Sequence, residues 1–203
     1  QTPGKPSPKG WPVRKSGHID IDISVKTTSP PSNTSIPCGP NKPLYSEKEF
    51  FKETGYIFVN GEKFVTNQNS VSIIDDLKGY YPYLAHYDWL TTMGRCEIDG
   101  EKKYFAFNLT RNQSVDQDAY NENLIWVEGE SFPLPPVTFE RESRKAKTWR
   151  VRDEHGCVDI RFEIENVFCM PMHFLVVDVY YALPFGKIYG YVKDTNGKKY
   201  VVD

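Results

Sequence analysis

His18-Ile19-Asp20-Ile21-Asp22-Ile23-Ser24-Val25-Lys26 alternates strictly between apolar and polar residues. In an extended chain successive side chains point to opposite faces, so Ile19, Ile21, Ile23 and Val25 share one side. Asp20, Asp22 and Ser24 take the other. A helix would scatter the same residues around its circumference. The stretch reads as a half-buried antiparallel strand.

Working outward, residues 1–17 carry Pro3, Pro6, Pro8 and Pro12 among Gly and Lys and read as an extended arm. Residues 18–203 read as a single domain. The segment from Thr27 to Pro43 is rich in Ser, Pro, Asn and Gly and reads as a long loop. Beyond it come hairpins. Asn60-Gly61 sits between Tyr56-Ile57-Phe58-Val59 and Glu62-Lys63-Phe64-Val65, and both turn residues tolerate positive φ. Asp99-Gly100, Glu128-Gly129, Asp153 to Gly156 and Asn196-Gly197 separate further apolar runs in the same way. Met172 to Tyr181 reads as another long apolar strand.

Composition agrees with strands. The 203 residues include 12 Phe, 13 Tyr and 4 Trp, with 14 Gly and 15 Pro available for turns. Lys and Arg total 25 against 27 Asp and Glu, a formal charge of -2, so there is no basic excess to attract a nucleic-acid backbone. No apolar run reaches the roughly 18 residues of a membrane-spanning helix, which reads as a soluble protein. Cys38, Cys96, Cys157 and Cys169 form no CxxC pair and read as reduced thiols packed as small hydrophobes. Sequons at Asn33, Asn108 and Asn112 keep secretion open, so the compartment is unassigned, with the cytoplasm slightly ahead.

About ten antiparallel strands in sequence must deal with their edges, and closure into a barrel removes them. The expected fold is all-β, an up-and-down meander closed into a barrel, in preference to a two-sheet sandwich.

Candidate chemistry gathers in two places. From Asp75 to Trp89 the chain reads as an irregular, aromatic segment with Asp76 and His86 available for proton transfer and Tyr81, Tyr83 and Trp89 able to line an apolar ligand. The same residues also suit a plug, with rings buried to close one barrel end. Asn121-Glu122-Asn123, before the apolar run Leu124 to Val127 with Trp126 inside it, places a carboxylate and amides near a core strand. Turn hydrogen bonding explains them equally, and Asn108 has the same two readings. His18, His86, His155 and His173 make no HxH or HxxxH pair, so no metal site is expected. No cofactor motif is present, and a short basic run around Arg141 reads as a solvated loop.

Lys78-Gly79-Tyr80-Tyr81-Pro82 with Trp89, Asn108-Leu109-Thr110, Asn121-Glu122-Asn123, Trp126-Val127-Glu128-Gly129 and Trp149 appear in that order. They are followed by Gly156-Cys157-Val158-Asp159-Ile160-Arg161-Phe162, Phe185-Gly186, Gly190 and Asn196-Gly197. In order and spacing these resemble the family called domain of unknown function 2804. That family is similar, at fold level, to lipocalin-like proteins that include carotenoid hydratases and related two-barrel proteins. The resemblance implies barrels that enclose an apolar ligand, and it assigns no activity to any residue. Family members are usually longer, so the chain reads as a short form or the C-terminal part of a longer protein.

Two functions follow as expectations. One is a non-catalytic module that binds an apolar molecule or lipid, or serves as a structural component with protein partners, using Tyr81, Tyr83, Trp89, Asn108, Asn123 and Trp126. The other is a hydratase- or isomerase-type enzyme on an isoprenoid or lipid, with Asp76, His86 or Glu122 as acid or base.

Overall fold

The computed structural model describes residues 18–143, 145–176 and 178–203; the Pro-rich arm expected over residues 1–17 lies outside them. The described chain is all-β and antiparallel, in three consecutive sheets. Among the described residues no helix is long and apolar enough to cross a membrane.

The first sheet is built on β3 (Pro43–Val59). One side of it pairs with β1 (Ile19–Thr27) and β2 (Ser32–Pro37), the other with β4 (Glu62–Val65) and β5 (Val71–Gly79). The second sheet is the meander β6 (Asp88–Ile98), β7 (Glu101–Arg111), β8 (Leu124–Val127) and β9 (Glu130–Pro133). The third is the meander β10 (Thr138–Glu140), β11 (Thr148–Arg152), β12 (Val158–His173), β13 (Asp178–Lys193) and β14 (Lys199–Val202).

The middle sheet explains the stacking. Phe105, Phe107, Leu109, Ile125 and Val127 pack with Val151, Val158, Ile160, Phe162 and Val192 of the third sheet. The intervening positions Ala106, Leu124 and Trp126 pack on Phe50 of the first sheet, with Val71 and Ile73 against them. Both faces of β7 and β8 are therefore covered, which needs a partner sheet on each side. A barrel wall has only one interior. None of the three sheets closes on itself, so the expected closed barrel is not what the backbone pairing forms.

Several local readings change. His18 to Lys26 does form a strand, paired along its length with β3 from Ile19↔Val59 to Thr27↔Phe51. Its apolar row is not buried: Ile19, Ile21 and Val25 are exposed on the face of β3 that carries Phe51 and Ile57 rather than Phe50. The long loop contains β2, whose Ile36 is fully buried. Val71–Gly79 is a strand, so the irregular segment shrinks to residues 80–87. Met172 to Tyr181 is the tip of the β12–β13 hairpin, turning through exposed Phe174, Leu175 and Val176. The turns at Asn60-Gly61 and Asp99-Gly100 have the positive φ values (50° and 94°, 56° and 78°) that these dipeptides favour.

Candidate functional site

Lys48 decides where the site is. On β3 the side chains of Leu44, Ser46, Lys48 and Phe50 share the face turned to the middle sheet, so a lysine stands in a buried row. A buried ammonium is costly unless it is paired. Directly across the ladder Lys48 meets Asp75 of β5, with Nζ 2.7 Å from Oδ1. Glu122, on the segment leading into β8, brings Oε1 to 3.2 Å. Lys48 Nζ also donates to Ser46 Oγ at 3.1 Å and lies 5.9 Å from the centre of the Trp89 ring.

The polar residues around this cluster hold it in place. Asn112 Nδ2 donates to Glu122 Oε2 at 2.9 Å. Asn108, fully buried, donates to the Glu122 carbonyl at 2.7 Å and accepts from Trp89 Nε1 at 2.5 Å, which fixes the indole. Asn123 Oδ1 accepts from the Thr110 amide at 2.6 Å, and its Nδ2 donates to the Pro135 carbonyl.

Above the cluster is a cavity of about 150 Å³. Leu44, Leu77, Trp89 and Ala85 supply apolar wall; Tyr81, Tyr87 and Tyr181 add rings; Lys48, Asp75 and Glu122 form the polar end. The roof is the 80–87 loop. Gly79 lets the chain leave β5 there: a Cβ would stand 2.3 Å from the Pro43 carbonyl oxygen, which accepts from the Tyr80 amide. Gln113 clamps the other end, accepting from the His86 amide at 2.9 Å and donating to the Leu84 carbonyl at 3.1 Å.

The walls are kept neutral. Burial, then the Glu122 and Asp75 carboxylates, push the Tyr81 phenol above its ordinary range. Burial, reinforced by Tyr181, pushes Tyr87 up to about 12. Burial and Glu122 likewise raise the Cys38 thiol, which also lines the cavity. Desolvation and nearby negative charge both disfavour an anion here.

Of the residues expected from the sequence, Glu122, His86, Tyr81 and Trp89 line this cavity. Asp76 does not. It is exposed, pairs across the ladder with Glu47 and faces away; the neighbour Asp75 takes the inward position. Tyr83 is 87% exposed and outside the lining. Trp126 is buried in the core against Phe50, its Nε1 donating to the Pro30 carbonyl at 3.2 Å, and Asn108 and Asn123 act as supports. Lys48 was missed, because Ser46 and Lys48 interrupt the apolar row between Leu44 and Phe50.

A larger hollow of about 590 Å³, lined by residues such as Asn33, Asp118, Asn121, Pro135 and His155, is more open and more polar. Glu122 and Asn123 form part of its wall. Among the described residues no three His, Cys, Asp or Glu side chains assemble as a metal site.

Comparison with known families adds one match, which runs over residues 10–203 and includes every residue of the cavity. The chain belongs to the family described as domain of unknown function (DUF2804). No curated protein and no solved structure matches it significantly. The DUF2804 match covers all three sheets.

Proposed function

We propose that the protein binds a small, largely apolar molecule in the cavity above Lys48, without itself carrying out chemistry on it. The observation that carries this reading is the combination of aromatic and aliphatic walls with a buried Lys48–Asp75–Glu122 cluster at one end. Apolar walls supply affinity, and a few fixed polar groups supply orientation. The loop roof and the hairpin residue Tyr181 enclose the ligand, so an enclosing lipocalin-like barrel is not required.

Size argues against a whole isoprenoid, whether as a substrate or as a bound ligand. About 150 Å³ is half of the roughly 300 Å³ at which ligand cavities usually begin. Such a space holds a small ring or one end of a longer molecule. The test is a titration with benzyl alcohol followed by calorimetry. Saturable binding that falls at least about tenfold in Tyr81→Ala, with the thermal midpoint little changed, supports the reading. Tyr81 is 50% exposed, so its removal leaves the core intact. Binding unchanged in Tyr81→Ala would place the ligand elsewhere.

A further inference from the structure

We infer that the polar end of the ligand is a cation, a primary or secondary ammonium carried on a small apolar body. This deepens the binding reading above and rests on it.

An ammonium has three N–H bonds. Lys48 donates to Ser46 Oγ at 3.1 Å and to Asp75 Oδ1 at 2.7 Å, and its charge is also paired with Glu122 Oε1 at 3.2 Å. With two carboxylates already beside it, the Lys48 charge is more than cancelled before a carboxylate or phosphate could arrive. Glu122 is also satisfied, since Asn112 donates to its other oxygen. Asp75 differs. Its Oδ2 has no protein partner among the described residues, its side chain is 21% exposed, and it lines the cavity.

Charge points the same way. One ammonium against two carboxylates leaves the cluster with a formal charge of -1. The lining adds Trp89, Tyr81, Tyr87 and Tyr181, whose ring faces attract cations and repel anions. The other ionisable side chains in the lining are Cys38 and His86; His86 is exposed at the rim and Cys38 is a thiol. An entering anion would meet an unshielded carboxylate oxygen. A wholly apolar ligand would strip water from Asp75 Oδ2 and return nothing. An ammonium supplies the missing donor and cancels the residual charge.

The test is calorimetric titration of the full chain, at neutral pH and fixed salt, with benzylamine, benzyl alcohol and benzoate. The three share a ring and differ at the polar end. Benzylamine should bind at least about tenfold more tightly than benzyl alcohol, with benzoate undetectable. Asp75→Asn should abolish the preference for the amine over the alcohol. If that variant does not fold, the order of the three probes on the unaltered protein decides the matter. Benzoate or benzyl alcohol binding as tightly as benzylamine overturns the cation assignment and leaves the cavity reading standing. Failure of all three to bind overturns both.

Discussion

Lys48 and Asp75 face each other across β3 and β5, Nζ to Oδ1 at 2.7 Å, with the lysine side chain 4% exposed. The pair is made by ladder register, and Glu122 joins it from the middle sheet. Removing the cation alone would leave two carboxylates facing each other with little water. Lys48→Met should therefore destabilise the fold by about 2–3 kcal/mol, somewhat less than for a fully buried pair because Asp75 is partly wet. Urea unfolding at neutral pH checks the size.

Neighbouring aspartates on β5 should behave differently. Asp76→Asn, on the outward face, should change stability by less than about 0.5 kcal/mol and leave ligand binding alone. Asp75→Asn should lower stability and alter ligand preference. Equal effects from the two would contradict the register.

Trp126 should prove a core residue. Trp126→Ala should cost about 3–5 kcal/mol, because the indole is fully buried between the first and second sheets and its Nε1 is bonded to Pro30. Denaturant unfolding measures the cost, and any folded fraction should bind benzyl alcohol normally.

Tyr87 gives a pH signature. Its phenol ionises near 12 in the folded protein, above the ordinary value of 10.0. A raised value means that the native state holds the proton more tightly, so this contribution to stability is intact below about pH 10 and is lost as pH climbs toward 12. Ultraviolet titration should show one late-ionising tyrosine fewer in Tyr87→Phe.

The cysteines should separate by reaction rate. Cys169 is exposed, whereas burial raises Cys38 and pushes Cys96 up to about 11. Alkylation followed by peptide mass spectrometry should find Cys169 modified first. Benzyl alcohol should slow modification of Cys38 alone, because only that thiol lines the cavity.

Local period and turn chemistry were legible from the sequence, and stacking was not. Asn60-Gly61 and Asp99-Gly100 announce their hairpins because few other dipeptides accept two positive φ values. The tip of β12–β13 escapes notice because Phe174, Leu175 and Val176 carry no turn residue and continue an apolar run. Strand β3 shows only its end, Tyr56 to Val59, for the opposite reason: Ser46 and Lys48 on its inner face break the apolar alternation of the earlier part. With β5 taken as part of a loop, the parity that separates Asp75 from Asp76 was lost. The unbroken apolar runs Phe105 to Phe107 and Leu124 to Val127 carried the sign of a sheet covered on both sides. Its partners are distant in sequence, and no local pattern names them.

The most direct test of the cavity is a site-resolved one. Backbone amide shifts should be followed by NMR as benzyl alcohol is added to the isotope-labelled chain. The structure predicts saturable changes confined to residues around the cavity, among them Leu44, Leu77, Ala85 and Gln113. Changes that fail to saturate, or that gather at the exposed apolar residues Ile21, Phe64 and Leu175, would contradict it.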